Sequence, residues 1–208
     1  MIHAALLAGI VLSQNAPRTE EREPPEKPVV KPATEVLAVG SKAPPITVDA
    51  WVQGEPVKAF EAGKVYVVEF WATWCGPCVR AMPHMTALQK QYPEVAFIGV
   101  AASERGPADR PDLGVEAPPE DARVTNIRKF LKSQGDKIGY RIAFDGDGTM
   151  GRAWLAAARQ RGIPWACVIG RDGCIRWMGH PDSIDSAIAT AVRVPATTPP
   201  ASQPPSRR

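Results

Sequence analysis

Residues 65–78 constrain this chain more than any other stretch. Val65, Tyr66, Val67, Val68, Glu69 and Phe70 lead through Trp71 to Trp74-Cys75-Gly76-Pro77-Cys78. The largely apolar run has the length and β-branched content of a buried strand. Beyond Cys78, apolar residues recur at helical spacing (Met82, Met85, Leu88) as far as Tyr92, with Pro83 expected to kink the helix. Two thiols three apart where a helix opens make a dithiol/disulfide device. The first sulfur sits among unpaired backbone N–H groups at the positive end of the helix dipole, which favours a thiolate. The second lies a turn further on, close enough to attack the first when it is tied up in a mixed disulfide. A static disulfide or half of a zinc site would use the same spacing. Zinc needs a second half, and Cys167 and Cys174 are not paired with His at ligand spacing.

The rest of the chain bounds this device. Its 208 residues suit one domain with extras, and 44% hydrophobic residues are ample for a core. The 22 prolines are too many for a compact fold alone. They are spread unevenly, five over residues 17–32 and five more over 195–205. A net charge of +3, dispersed along the chain, argues against nucleic acid as a partner. Nothing matches a phosphate-binding glycine loop, and thiol exchange calls for no cofactor or metal. Residues 1–12 are apolar apart from His3, far short of the roughly 20 needed to span a bilayer. They suit the core of a signal peptide over residues 1–16, cut after Ser13 or Ala16, so a periplasmic or otherwise extracytoplasmic location is expected. Without Lys or Arg before the core, an ordinary N-terminus is the alternative. Residues 17–38 mix Pro, Glu and Lys and read as a disordered linker, either a tether or a plain tail. Residues 195–208 read as a disordered Pro-rich tail.

The domain is expected over residues 39–194. Residues 46–52 and 57–60 suggest a short N-terminal hairpin turning through Gly54-Glu55-Pro56. Residues 95–101 form a second apolar strand, and 103–122, rich in Pro, Gly, Asp and Arg, a long surface loop. An amphipathic helix follows over 124–132, packing Ile127, Phe130 and Leu131. A short strand at 141–144 and a helix at 150–160 come next. Asp145-Gly146-Asp147-Gly148 is a turn rather than a calcium loop, whose sixth and twelfth positions would fall on Met150 and Ala156. Gly162-Ile163-Pro164 precedes an apolar strand, 165–169, which turns through residues 170–173 into a second at 174–178. Residues 184–192 give the last helix.

Residues 67–78 resemble the active-site strand and helix of the thioredoxin superfamily, and Trp-Cys-Gly-Pro-Cys matches thioredoxin itself. The Val39-Gly40-Ser41-Lys42-Ala43-Pro44 entry and the inserted strand and helix look more like the TlpA/ResA branch of extracytoplasmic thiol-disulfide oxidoreductases, a redoxin domain. The resemblance implies an α/β thioredoxin-like fold, a central mixed sheet flanked by helices with the N-terminal hairpin and the inserted strand-helix. It implies an enzyme exchanging disulfides with protein substrates, Cys75 as nucleophile and Cys78 as resolving thiol. Gly-Pro between the cysteines resembles reducing thioredoxins, so a reductase is expected, acting as a monomer and re-reduced by a membrane electron donor. Glu69 stands where thioredoxin holds a buried Asp. A carboxyl in so apolar a strand has a raised pKa and can take the proton from Cys78, unless Glu69 lies on an exposed strand edge. The TlpA/ResA branch often has a Glu three residues after its second Cys; here that residue is Ala81.

Pro164 resembles the superfamily's cis-proline, which faces the disulfide and leaves Ile163 free to pair with substrate main chain. Trp74, Gly76, Pro77, Ile163 and Pro164 are therefore the residues expected to meet substrate, with Trp74 an exposed platform and Trp71 packed inside. Cys167 reads as a free, buried thiol, and the state of Cys174 is open, since a bond between them depends on the register of their turn. Two other functions are compatible with the sequence. A peroxidase would need a Pro and a Thr placed just before Cys75, which Ala72-Thr73-Trp74 does not supply. A copper(I) carrier would use Met82, His84 and Met85, although helical spacing puts both methionines in the core.

Overall fold

The computed structural model describes residues 36–106 and 121–195. The signal segment, nearly all of the linker and tail, and most of loop 103–122 lie outside the described residues. Among these residues, six strands form one mixed sheet: β1 (Ala50–Gln53), β2 (Val65–Trp71), β3 (Val95–Ala101), β4 (Arg141–Phe144), β5 (Trp165–Ile169) and β6 (Ile175–Gly179). Their order across the sheet is β1-β4-β3-β2-β5-β6. β2, β3 and β4 run parallel, while β5 lies antiparallel to β2, β6 to β5, and β1 to β4. The central position of β2 explains its composition, because a strand covered on both faces reads as a continuous apolar run. All seven of its residues are buried.

Alternation along the strands divides the interior in two. Val65, Val67 and Trp71 face the core shared by three helices: α1 (Gly76–Gln91), α2 (Ala122–Gln134) and α3 (Asp185–Arg193). These helices contribute Met82, Met85 and Leu88, then Val124, Ile127 and Leu131, then Ile188 and Ala191. Tyr66, Val68 and Phe70 face the opposite core. That side is covered by the irregular segment carrying Val39, Ile46, Val48, Val57 and Phe60, and by a wide helical turn at Gly151–Ala156. Pro83 lies inside α1 without ending it.

The N-terminal hairpin is not formed. Only Ala50–Gln53 is a strand, its partner is β4, and residues 57–60 pair with nothing in the sheet. The Gln53 side chain explains the choice: its amide donates to the carbonyls of Ile138 (2.9 Å) and Tyr140 (2.8 Å) as the chain enters β4. The helix expected at 150–160 is present but shorter and wound wide, a π-helix over Gly151–Ala156 in which the N–H groups of Ala157 and Gln160 reach back five residues to Arg152 and Leu155. Register answers the question of the other two cysteines. Cys167 stands opposite Met178, while Cys174 precedes β6 and bridges to Lys42, so no disulfide joins them. Cys167 is buried and its thiol is pushed well up by burial; Cys174 is half-buried.

Trp154 anchors the second core, fully buried in the wide turn with its ring 6.0 Å from that of Phe60 and 6.1 Å from Phe70. Replacing it with Ala removes a large buried side chain that a short turn cannot collapse to fill. A loss of about 3–5 kcal/mol is expected, read from denaturant unfolding of the oxidised protein; a loss under about 1 kcal/mol would show that this face contributes little.

Candidate active site

The site forms where β2 ends and α1 begins. After Trp71 the chain makes a tight turn in which Cys75 N–H donates to the Ala72 carbonyl at 3.0 Å. Cys75 is the N-cap of α1, with extended backbone, and its sulfur accepts the backbone N–H of Cys78 at 3.2 Å. A helix N-terminus has donors without carbonyl partners, and Sγ occupies the place usually held by a capping oxygen. In the reduced protein this donor and the helix dipole favour thiolate on Cys75. Here Cys75 and Cys78 are joined, S–S 2.03 Å and Cα–Cα 5.2 Å. Cys75 keeps a small exposed edge and Cys78 keeps none. Gly76 and Pro77 are exposed, forming the first turn.

Across from the sulfurs, the Ile163–Pro164 peptide bond is cis. The carbonyl oxygen of Ile163 lies 3.8 Å from Cys75 Sγ, within reach of a thiol hydrogen once the pair is reduced. Trp71 is packed inside against Phe130, whereas Trp74 is 47% exposed beside the disulfide. The expected residues 74–78, 163 and 164 therefore converge on one spot.

Glu69 is fully buried and faces the helix-side core, the core that holds both sulfurs. It sits beside Gly99 on β3 and Ala166 on β5. The Tyr140 hydroxyl donates to its Oε2 at 2.9 Å, while Oε1 has no hydrogen-bond partner among the described residues. Burial pushes the carboxyl up to about 7, and the Tyr140 bond holds it from going higher. Gly99 is what admits the tyrosine. A Cβ there would lie 2.9 Å from Tyr140 Cε2, 2.9 Å from Ile142 Cδ1 and 3.1 Å from Trp71 Nε1.

Sequence reasoning missed a second carboxyl. Glu104, just beyond β3, is buried and accepts both the backbone N–H and the hydroxyl (2.7 Å) of Thr73. Burial raises its pKa, against the pull of those two bonds. Next to it, the Ser103 carbonyl accepts the Trp74 indole N–H at 2.8 Å, and the Arg105 guanidinium lies 4.3 Å from the centroid of the Trp74 ring. The start of the long loop is thus fastened to the active-site turn. No spacing in the sequence announces this, whereas a glycine inside the apolar run 95–101 was a visible sign of close approach. The copper ligands are not brought together. Met82 and Met85 are buried in the core, while His84 Nε2 meets Asp185 Oδ2 at 2.9 Å.

The family model described as Redoxin matches residues 38–193. Among curated proteins, the chain is 37% identical to Protein FixW of Rhizobium leguminosarum over 145 residues, 69% of this chain and 61% of that protein. It is 43% identical to a Thioredoxin H-type of Fagopyrum esculentum over 89 residues, 41% of this chain and 76% of that one. The chain thus spans about three fifths of the length of FixW. Among solved structures, a thiol:disulfide interchange protein of the thioredoxin family from Chlorobium tepidum superposes with a TM-score of 0.53 at 22% identity, covering 73% of this chain and 97% of that one. A thiol-disulfide isomerase from Corynebacterium glutamicum gives 0.54 at 20% identity, covering 74% and 98%. Both show the same fold. The chain belongs to the Redoxin family, and its thioredoxin-like domain carries the bonded pair Cys75–Cys78.

Proposed function

We propose that the chain reduces disulfides in protein substrates outside the cytoplasm, through Cys75 and Cys78. The observation that carries this is the Cys75 sulfur, which caps α1, accepts the Cys78 N–H and lies 3.8 Å from the Ile163 carbonyl oxygen, beside the exposed Trp74. The Cys75 thiolate attacks one sulfur of a substrate disulfide. A mixed disulfide forms and the substrate's other sulfur leaves as thiolate. Cys78, deprotonated, then attacks Cys75 Sγ, which releases the second substrate thiolate and closes Cys75–Cys78. Two electrons pass to the substrate, and the proton of Cys78 goes to Glu69, through an intervening water. Trp74, Gly76, Pro77, Ile163 and Pro164 receive the substrate, with Ile163 offering main chain for an added strand. Gly-Pro between the thiols supports the reducing direction, and the apolar residues 1–12 support export. A membrane dithiol donor re-reduces the enzyme, which works as a monomer. No described helix is long and apolar enough to cross a membrane.

The deciding experiment is the reduction potential of the Cys75–Cys78 pair in dithiothreitol buffers, combined with a trapping variant. A value near about −270 mV is expected for a reductase, whereas one near about −120 mV would make the protein an oxidant. Cys78→Ser should accumulate a mixed disulfide with substrate through Cys75, and Cys75→Ser should trap nothing. Absence of any redox transition in the wild type would remove the enzyme reading.

Glu69 leaves two pH signatures. Tyr140→Phe deletes the donor to its carboxylate. The carboxylate is then harder to form, so the pH at which mixed-disulfide resolution reaches half its maximum should rise, by about one to two units for the loss of a charged hydrogen bond. An unmoved profile would exclude Glu69 as the proton acceptor.

Stability gives the second. Glu69 ionises near 4.5 in the unfolded chain and near 7 in the fold. Both states are protonated at low pH, and between those values the unfolded state alone releases its proton. Stability therefore falls as pH rises through this window and levels off above it. Between pH 5 and 8 the oxidised wild type should lose about 2–3 kcal/mol more than Glu69→Gln, measured by denaturant unfolding at both pH values. Equal losses would mean that the carboxyl is not raised.

A further inference from the structure

The active-site groove has a charge that the exchange chemistry does not use. Beside the disulfide a groove of about 300 Å³ runs between Trp74 and Ser103 on one side and Leu155, Gln160, Arg161, Gly162 and Ile163 on the other. It continues through Gln160 and Arg161 into a depression that adds Arg159. Its ionisable lining residues are both arginines. Neither Arg159 nor Arg161 has an ion-pair partner among the described residues, and both are exposed. A third cation is held in place at the opposite wall. Glu104 fastens the loop to Thr73, Ser103 fixes the Trp74 indole, and Arg105 lies over that indole ring. Glu104, the carboxyl nearest to Arg105 in the chain, is turned inward onto Thr73 and does not neutralise it.

We infer that this groove selects extended protein segments whose reactive cysteine is flanked by acidic side chains. Ile163, 3.8 Å from Cys75 Sγ, sets where the substrate main chain passes. Residues on either side of the substrate cysteine then lie along the Arg105–Trp74 wall or the Arg159–Arg161 wall. Apolar surface from Trp74, Leu155 and Ile163 takes the body of the segment, and the guanidinium groups take its carboxylates. Guanidinium suits this task, being always charged and able to hold a carboxylate through two donors. Charges at a groove rim act chiefly on encounter and on the choice among partners.

The inference rests on the oxidoreductase reading, and one experiment separates the two. The full chain is reduced, and its rate is measured on three synthetic disulfide peptides alike except that Glu, Gln or Lys flank the cysteines. The Glu peptide should react about tenfold faster than the Gln peptide at low salt, and the Lys peptide slower still. The advantage should shrink in about 0.5 M salt, where screening reaches only a few ångströms. In Arg105→Gln/Arg159→Gln/Arg161→Gln the Glu-to-Gln ratio should fall to within about twofold of unity. Lys90→Gln, at the far end of α1, should keep the ratio. Equal rates in the wild type, or a ratio that survives the triple substitution, would overturn the inference while leaving disulfide reduction intact. Failure of the wild type to reduce any of the three peptides would overturn the oxidoreductase reading and the groove's role with it.

Discussion

The first turn of α1 has backbone N–H groups with no helical carbonyl to receive them. In most helices an oxygen from Ser, Thr, Asp or Asn meets one of these groups. Here the sulfur of Cys75 does so, and much of the molecule serves to deliver that sulfur. β2 must be long, straight and buried so that its end is fixed, and the turn from Ala72 to Cys75 must be tight so that Sγ rather than backbone meets the Cys78 N–H. Glu104 braces the same turn from outside the strand by taking both donors of Thr73. A rigid scaffold thereby presents a reactive group on a short connecting segment, which is where loops acquire function.

The carboxyl of Glu69 is the counterpart of this arrangement on the inner side. Burying it costs free energy, and the surroundings reduce that cost without removing it. Tyr140 satisfies one oxygen, and among the described residues nothing donates to the other. A fully satisfied carboxylate would be a weak base, and one with no donor would stay protonated beyond neutrality; a single donor keeps the group poised near pH 7. Three adjacent strands cooperate in this: β2 supplies the acid, Gly99 of β3 supplies room, and the entry to β4 supplies the phenol.

How far this was legible in the sequence follows from the range of each interaction. The strand-turn-helix at 65–91 announces itself because local pattern and burial agree there, and a charged residue within an apolar run marks Glu69 as unusual. The Ile163–Pro164 step could be placed only through its resemblance to the superfamily's cis-proline, since a proline ahead of an apolar strand does not by itself tell cis from trans. The hairpin at 46–60 failed for the opposite reason. A Gly-Glu-Pro turn suggests that two neighbouring segments pair, yet the partner of Ala50–Gln53 lies some ninety residues on, selected by Gln53 and by the free edge of β4. Tyr140 and Glu104 were invisible for the same cause: each acts on a residue far away in sequence, and neither sits in a pattern that singles it out.

Cys167 lies directly opposite Val68 of β2, yet its side chain belongs to the core on the other side of the sheet from the two active sulfurs. A domain with several thiols runs the risk of scrambling, in which a third sulfur captures a mixed disulfide before the proper partner can resolve it. Here the backbone of the sheet acts as an insulating layer between Cys167 and the dithiol, and burial keeps that thiol protonated as well. The protein can therefore keep a spare thiol in its interior, and under the proposed exchange the two electrons stay between two neighbouring sulfurs.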